Sequence, residues 1–371
     1  MPERPARLRA TRARLYESLR SAHLERARTG TPVATVYRNR RYDFDIALAA
    51  GLEIVQASRV RAALLIARSP LQVLEINEPL MLSSIRTSAA ALALLWLRRS
   101  VGKPGPEVVT YVIGNDDPFA ASATGLRGRA RRAIDRALAR WVWHRLDRVA
   151  YGTDGAREIY RKVLGTPRRA EESSIPALPA ALPGADASRD PHTIAFVGAF
   201  VPRKGIALVV EAWPLVVEAV PNATLRILGK GPLASVVGEL AEADPRVSLV
   251  QDPAREEIFR TLLRSRLLVL PSQRIGGWRE QVGLPIVEAL SAGCSIVTTS
   301  ETGLAPWLEE RGHRIIPPGG TAAELAAALI AQLSSAPHPA EIAASLPDTD
   351  GRLQADAWMF ATAAARDEVT A

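Results

Sequence analysis

The sequence predicts an α/β protein of two lobes, each built on a parallel β-sheet covered by helices. Short β-branched or apolar runs alternate with longer amphipathic ones, and this alternation is typical of βαβ units. The 371 residues exceed the usual size of one domain, which favours two lobes. Hydrophobic residues make up 47% and charged residues 23% of the chain, a globular composition that excludes disorder and fibrous repeats.

The second half of the chain shows the alternation most clearly. From His192 onward, the successive strand-like and helix-like runs are TIAFVGAF, IALVVEAWPLVVEAV, ATLRILG, LASVVGELAEA, RVSLVQ, EEIFRTLLRS, RLLVLPS, LPIVEALSAG and SIVTTS. RIIPPGG and TAAELAAALIAQL predict one further strand and helix. Strands joined through helices in this way lie parallel, with right-handed crossovers.

The first half follows the same alternation less regularly. Its predicted strands are Pro32–Tyr37, Leu52–Gln56, Gln72–Ile76, Glu107–Ile113 and Arg148–Gly152. Its predicted helices are Arg59–Ala67, Leu80–Arg99, Arg127–His144 and Gly155–Leu164. A segment rich in Pro, Ala and Gly, 175–191, is predicted to be the linker. We therefore expect lobes at 1–180 and 190–349, with a last helical stretch within 350–371, over Arg352–Arg366.

Composition indicates where such a protein works. The one cysteine, Cys294, excludes an internal disulfide and a CxxC metal site, which indicates a reducing compartment. The longest apolar run, 89–97, is far shorter than the roughly 20 residues of a membrane span. The arginine-rich N-terminus lacks the apolar stretch of a secretory signal. We expect a soluble cytoplasmic protein.

Charge is distributed unevenly along the chain. Residues 1–170 hold 31 basic and 15 acidic side chains, and the remainder holds 16 and 24. Eight of the arginines lie in 127–148, which predicts a helix with two faces. One face would carry Arg129, Arg132, Arg136 and Arg140, and the other Ile134, Leu138, Trp141 and Val142.

This basic helix has two interpretations. The favoured one is a helix that packs on the core and exposes a charged face. The alternative is a helix that lies on an anionic membrane with Trp141 and Trp143 near the headgroups. In that case the arm Met1–Arg28 either adds to the membrane contact or is disordered. Nucleic-acid binding is not expected, because no recognition motif accompanies the arginines.

The loop and helix in 276–292 contain two glutamates, Glu280 and Glu288, separated by seven residues. Gly283 lies near the predicted helix start, and Pro285 suits a first helical turn. Glycine lets a ligand approach the backbone closely, and free N–H groups of a first turn favour an anion such as a diphosphate. Glu288 could accept hydrogen bonds from sugar hydroxyls. The alternative is a helix that carries two solvated glutamates.

Two other loops connect a predicted strand to a predicted helix. FVGAFVPRKGI (196–206) contains Arg203 and Lys204, and these cations could hold phosphates. LGKGPL (228–233) joins its strand and helix through two glycines. Each loop alone is equally consistent with an ordinary βα turn.

Together and in this order, the loops resemble those of the retaining family 4 glycosyltransferases, or glycosyl transferases group 1. Residues 193–320 contain the matching motifs VGAFVPRKG, GKGP, LVLPS and EQVGLPIVEALSAGCSIV. The resemblance implies the GT-B fold, in which two Rossmann-like lobes with parallel sheets face each other across a cleft. The lobe at 1–180 would bind the acceptor, the lobe at 190–349 would bind a nucleotide-sugar, and 350–371 would pack back on the first lobe.

The resemblance also implies roles for individual residues. Glu280, Lys204 and Arg203 would be catalytic: Glu280 lies beside the donor sugar and the two cations offset the charge of the leaving diphosphate. Glu288 would bind the ribose hydroxyls. The other donor-binding positions would be Gly198, Gly231, Pro232, Val282, Gly283, Leu284, Thr302 and Gly303.

The sequence departs from the family pattern at three places. Ala199 occupies a position where the family usually has a phosphate-binding arginine. In the first lobe, the stretch 108–119 lacks the usual histidine and offers Asn115 and Asp116 as contacts to the sugar or the acceptor. The loop 38–45, after the first predicted strand, lacks the usual glycine pair.

Neither metal nor any other cofactor is expected, because the five histidines are scattered and form no ligand motif. The resemblance implies metal-independent hexosyl transfer, with retained configuration, from a nucleotide-diphosphate sugar to a glycan or lipid-linked acceptor in cell-surface polysaccharide biosynthesis. The protein would be cytoplasmic, or peripheral on the inner face of the cell membrane through its basic lobe. Two alternatives stay open: a non-catalytic nucleotide-sugar-binding or scaffold protein, and a nucleotide-sugar epimerase.

Overall fold

A computed structural model describes residues 5–41, 44–120, 125–187, 189–276 and 278–361. The chain divides into two compact units. The first unit combines the chain up to Pro176 with the chain from Arg352 onward, and the second unit holds Ala177–Gly351.

Within the described residues, the first unit contains a parallel sheet of seven strands in the order β3-β2-β1-β4-β5-β6-β7. The strands are β1 (Arg12–Leu19), β2 (Ala34–Arg40), β3 (Ile54–Gln56), β4 (Val73–Ile76), β5 (Glu107–Val112), β6 (Arg148–Tyr151) and β7 (Glu171–Ser174). The helices between them are α1 (Ser21–Thr29), α2 (Arg59–Arg68), α3 (Leu82–Ser100), α4 (Gly125–Trp143) and α5 (Asp154–Leu164). The predicted strands and helices of this half are confirmed to within a few residues.

Two strands of this sheet, β1 and β7, were not predicted. β1 lies inside the segment expected to be a basic arm, yet it occupies the middle of the sheet and pairs with both β2 and β4. The expectation failed because Arg14, on β1, is buried through ion pairs with residues distant in sequence, so the strand does not look apolar. The first strand of the sheet is therefore β1. The residue that follows this first strand is Arg20, and the loop 38–45 follows the second strand instead.

The arginine-rich segment forms α4, but its buried face is not the predicted one. Ile134 is 54% exposed, whereas its neighbour Asp135 is buried and accepts a hydrogen bond from Nε of Arg86 at 3.0 Å. With Asp135 buried in place of Ile134, the buried face of the helix is shifted by one residue from the predicted face. Trp143 is fully buried, and its indole N–H donates to the carbonyl of Gly165 at 2.7 Å. Its predicted alternative place near lipid headgroups is therefore wrong.

The second unit contains, in the part described, a parallel sheet of six strands in the order β10-β9-β8-β11-β12-β13. The strands are β8 (Thr193–Val197), β9 (Thr224–Gly229), β10 (Val247–Gln251), β11 (Leu267–Leu270), β12 (Ser295–Thr299) and β13 (Arg314–Ile316). The helices are α6 (Ile206–Ala219), α7 (Ala234–Ala243), α8 (Arg255–Leu262), α9 (Leu284–Ser291), α10 (Ala305–Glu310), α11 (Ala322–Ser335) and α12 (Pro339–Ala344). Every strand predicted from His192 onward is present.

Both sheets have the strand order of a doubly wound fold, in which the order reverses next to the first strand. In the second unit the reversal lies between β8 and β11, which are direct neighbours. The loops that follow these two strands lead to opposite faces of the sheet and leave a crevice between them. Doubly wound folds bind their ligands in this crevice. The two motif loops predicted to act together are the loops that follow β8 and β11.

The last helix, α13 (Gly351–Phe360), joins the first unit through buried charges. Asp356 accepts from Arg14 at 2.5 Å and pairs with Arg352 at 2.8 Å. Glu75, on β4, accepts from Nε of Arg14 at 2.9 Å and also pairs with Arg352. The predicted continuation of this helix from 362 lies outside the described residues.

We expect Asp356→Ala to destabilise the protein, because it leaves two buried guanidinium groups with one carboxylate. Removing one partner of a buried ion pair costs about 3–5 kcal/mol. Urea unfolding should show the loss, and Glu25→Ala, an exposed site on α1, serves as the control. A loss below about 1 kcal/mol for Asp356→Ala would mean that the network does not hold the last helix.

Candidate functional site

The loops after β8 and β11 touch through a glycine. The first loop ends in a short turn of 3₁₀ helix, Pro202–Lys204, and Gly205 follows with φ +72°. A Cβ on Gly205 would lie 2.1 Å from the carbonyl oxygen of Pro271, so no other residue fits there. The N–H of Gln273 donates to the carbonyl of Arg203 at 2.9 Å, which ties the two loops together.

This contact brings Lys204 and Glu280 together. Both side chains are buried, at 9% and 7% exposure, and they form an ion pair. The hydroxyl of Ser272 donates to the same carboxylate oxygen at 3.0 Å. Lysine and glutamate are rarely buried unless paired, so two residues 76 positions apart define a polar site at the sheet edge.

Arg203 extends the site through an aromatic residue that the sequence did not single out. Its guanidinium lies over the ring of Trp278, 4.4 Å from the centroid, and the ammonium of Lys204 lies 5.4 Å from the same ring. Cation–π contacts hold both cations without neutralising their charge. No spacing rule marks a lone tryptophan in a loop, so only the fold could reveal this role.

The loop after β11 leads into α9 through Gly283, which has φ +86° and precedes the first helical residue. A Cβ on Gly283 would lie 2.9 Å from Cδ1 of Ile286. Leu284, at the helix start, is 58% exposed, whereas Val282 packs against the core. A first turn presents backbone N–H groups that lack partners in the helix, which suits an anion.

Glu288 lies one turn into α9 and is 8% exposed. Among the described residues it pairs with Arg255, whose Nη1 lies 3.9 Å from Oε1. Burial raises the pKa of Glu288 to about 7, and Arg255 opposes this only weakly. Near neutral pH the carboxyl therefore exists in both forms and could accept or donate a hydrogen bond.

Thr302 and Gly303 support the loop that precedes α9. The hydroxyl of Thr302 donates to the carbonyl of Val282 at 2.8 Å, and the N–H of Gly303 donates to the carbonyl of Gln281 at 2.7 Å. The contact of either residue with a donor stays a prediction. What they do in the structure is hold the backbone on which the predicted diphosphate site depends.

The predicted glycines of the other loops serve mainly for packing. The N–H of Gly198 donates to the carbonyl of Leu228 at 3.0 Å, so the loops after β8 and β9 run side by side. A Cβ on Gly231 would lie 2.6 Å from the carbonyl oxygen of Phe200. Pro232, which follows, is exposed. Their predicted contacts with the donor stay predictions.

Asn115 and Asp116 belong to the first unit, in the loop after β5. Asn115 is 3% exposed. Sequence reasoning missed Glu78, which follows the neighbouring strand β4 and accepts from the N–H groups of Ile113 and Gly114 at 3.2 and 2.9 Å. Burial raises the pKa of Glu78. A charged residue two positions after a buried strand is the signal that could have found it.

Three of the predicted site residues, Arg203, Lys204 and Glu280, thus lie together at the edge between β8 and β11. Across the described ranges, no group of three or more His, Cys, Asp or Glu side chains is arranged to hold a metal ion. None of the described helices is long and apolar enough to cross a membrane.

Comparison with known proteins finds a family match within the second unit. Residues 191–335 match the family described as glycosyl transferases group 1. The match confirms the predicted resemblance over the group 1 domain, and the motif loops that converge between β8 and β11 lie inside it.

Two mannosyltransferases are among the relatives. The phosphatidyl-myo-inositol mannosyltransferase of Mycobacterium leprae is 33% identical over 147 residues, which is 38% of this chain and 37% of the relative. The chain thus matches little more than a third of that protein's length. The enzyme of the same name from Mycolicibacterium smegmatis is 27% identical over 71% of this chain and 63% of the relative.

A solved structure extends the likeness to both units. The Anabaena protein Alr3699/HepE, crystallised in complex with UDP, superposes with a TM-score of 0.66 at 12% identity and covers 97% of this chain and 98% of its own. At this identity the likeness concerns the fold alone. The predicted α/β GT-B fold is confirmed.

The raised pKa of Glu288 predicts how pH affects stability. The folded protein binds a proton at Glu288 up to about pH 7, whereas the unfolded chain releases it near 4.5. The native state therefore holds more protons in this window, and this contribution to the free energy of unfolding falls as pH rises.

We expect Glu288→Gln, which cannot ionise, to unfold at the same urea concentration as wild type at pH 4.5. It should be more stable than wild type by about 1–3 kcal/mol at pH 8. Urea titrations of both proteins across this pH range measure the difference, in which other titrating groups cancel. A pH-independent difference would contradict the raised pKa.

Proposed function

We propose that this protein is a glycosyltransferase that moves a hexose from a nucleotide-diphosphate sugar to a glycan or lipid-linked acceptor with retained anomeric configuration. The buried pair Lys204–Glu280, flanked by Arg203 at the carboxyl edge of a group 1 domain, carries the proposal. The names of the relatives, which are mannosyltransferases, support the same class of reaction.

The reaction breaks the bond between the sugar C1 and the diphosphate oxygen and forms a bond from C1 to the acceptor hydroxyl oxygen. The proton of that hydroxyl passes to the departing diphosphate. Negative charge grows on the departing diphosphate, and fixed cations next to it stabilise the transition state more than the ground state. Lys204 and Arg203 supply this charge, and the first turn of α9 adds N–H donors. Because these groups supply the charge, the transfer needs no metal.

The two glutamates have different tasks in this proposal. Glu280 holds the ammonium of Lys204 in place and orients the donor sugar. An ammonium has three N–H donors, so Lys204 can keep its bond to Glu280 and still donate to a phosphate oxygen. Glu288, buried and without a close ion pair, accepts from the ribose hydroxyls, and its ionised form binds them better.

The first unit then provides the acceptor side, with Asn115 and Asp116 as hydrogen-bonding groups. A non-catalytic nucleotide-sugar binder is the second candidate, because Ala199 replaces a phosphate-binding cation of the family pattern. An epimerase is the third, and it would release an altered nucleotide-sugar instead of transferring the sugar.

Thermal shifts with UDP-, GDP- and ADP-sugars test donor binding first. We expect one class to stabilise the wild type, by about 2.7 kcal/mol at 100 times its dissociation constant. Glu288→Ala should lose most of this shift. Glu239→Ala, an exposed glutamate of the same unit, should keep it. If no nucleotide-sugar stabilises the protein, the donor site is wrong.

Turnover of the stabilising donor separates the three candidates. Lys204→Gln removes the charge but keeps a side-chain N–H donor, and we expect kcat to fall about 10²- to 10³-fold. The control is Lys230→Gln, because Lys230 forms an exposed pair with Asp252. Binding without sugar release by wild type would favour the non-catalytic role, and a recovered epimeric nucleotide-sugar would favour the epimerase.

We propose that the protein reaches its acceptor at a membrane and that α4 makes this contact on the cytoplasmic face.

 The first half of this helix exposes Leu126 (78%) and Ile134 (54%) beside the arginines at 127, 129 and 131. An apolar strip flanked by cations suits an anionic lipid surface.

Flotation with vesicles tests this membrane contact. We expect the wild type to float with vesicles of phosphatidylglycerol and not with those of phosphatidylcholine. The double variant Leu126→Ser, Ile134→Ser should bind the anionic vesicles several-fold more weakly, because it removes the apolar strip. Leu215→Ser, at a half-exposed site in the second unit, is the matched control. Equal flotation of all three proteins would rule out α4 as the contact.

A further inference from the structure

A cavity of about 300 Å³ opens at the amino edge of the first unit's sheet, the edge opposite to the loop of Asn115. Its apolar wall comes from Leu92 and Leu95 on α3 and from Val108 at the start of β5. Trp96, the next residue on α3, also lines the cavity and is 58% exposed. Neither the family motifs nor the proposed transfer uses this cavity.

The rest of the wall is strongly basic. Four arginines line it, namely Arg99, Arg145, Arg168 and Arg169. One carboxylate, Asp147, pairs with Arg169 at 3.1 Å. The carboxyl ends of α3 and α4 lie near the cavity, and each helix end contributes about half a negative charge. Four positive charges against one carboxylate and two helix ends leave an excess of about two.

Backbone carbonyls orient two of these arginines, Arg99 and Arg169. Arg99 donates to the carbonyl of Pro106 at 2.6 Å, and Arg169 donates to that of Arg145 at 2.9 Å. The guanidinium of Arg145 lies over the ring of Trp141, 3.9 Å from its centroid. Arg99, Arg145 and Arg169 are therefore held in position before any ligand arrives, which reduces the entropy lost on binding.

Mutual repulsion is visible in the ionisation of this wall. The pKa of Arg145 is lowered, first by burial and then by the charges of Arg169 and Arg168. The pKa of His144 is lowered by burial and then by Arg168, Arg140 and Arg145. His144 therefore stays neutral at physiological pH and adds no charge. A bound anion would relieve the repulsion among the arginines.

We propose that this cavity binds a phosphomonoester whose phosphate meets the arginines and whose apolar part packs against Trp96. A phosphomonoester carries a charge close to −2 at neutral pH, which matches the excess on the wall. The volume suits a small ligand. The same group occurs on soluble metabolites and on the headgroup of phosphatidic acid, and both would present it to these arginines in the same way.

Calorimetric titration of the full chain with phenyl phosphate tests the proposal, with phenol and inorganic phosphate as partial ligands. We expect phenyl phosphate to bind more tightly than either, because it alone uses both parts of the wall. Arg168→Gln should weaken binding about 5- to 10-fold, because it removes a charge-assisted contact. Trp96→Leu should weaken phenyl phosphate but not inorganic phosphate. Arg28→Gln, an exposed arginine on α1, should change nothing.

Two further arms complete the test. Arg203→Gln removes a cation of the donor site, so unchanged binding of phenyl phosphate in this variant separates the cavity from that site and from the proposed transfer. In the second arm, vesicles that contain phosphatidic acid replace phenyl phosphate. If Arg168→Gln weakens binding to these vesicles but not binding to phenyl phosphate, the site is assigned to a lipid headgroup. The proposal would be overturned if neither phenyl phosphate nor phosphatidic acid vesicles bind. Binding that is insensitive to both Arg168→Gln and Trp96→Leu would also overturn it.

Discussion

The reversal of strand order between β8 and β11 is the constraint on which the candidate site depends. Two neighbouring parallel strands send their chains to opposite sides of the sheet, and the two loops then meet at the carboxyl edge. Gly205 allows the loops to touch, and this contact places Lys204 beside Glu280. The chemistry proposed for the protein needs cations at a fixed place, and the sheet topology provides that place.

Buried charges in this protein serve two purposes, and their partners distinguish them. Arg14, Glu75, Arg352 and Asp356 form a network of two cations and two anions, so it is balanced internally and holds α13 in the first unit. At the edge of the second sheet, the carboxyl group of Glu288 lies 3.9 Å from the guanidinium of Arg255 and keeps a raised pKa. A balanced network stabilises a fold, whereas a carboxyl left without a close partner remains available to a ligand.

The excess of arginine in the first half of the chain is likewise divided between different environments. Arg14 is buried and forms ion pairs inside the fold, whereas the arginines at 127, 129 and 131 lie at the exposed start of α4. A third set surrounds the cavity at the amino edge, where backbone carbonyls orient Arg99 and Arg169. Net charge along the sequence indicates an anionic partner, but the fold determines where each charge can act.

The sequence by itself determined the fold class, most elements and the loops of the site. Apolar periodicity marks β8 to β13 because apolar side chains of those strands pack into the core. Glycine and proline mark the turns at Gly205 and Gly283. Only the tertiary structure revealed β1, because its buried Arg14 is compensated by residues 61 and 342 positions away. It also revealed the roles of Trp278 and Glu78, and the buried face of α4. The physical reason is the same in each case: periodicity records what a residue's neighbours in sequence do, whereas a buried charge or a loop aromatic is stabilised by partners that only folding brings near.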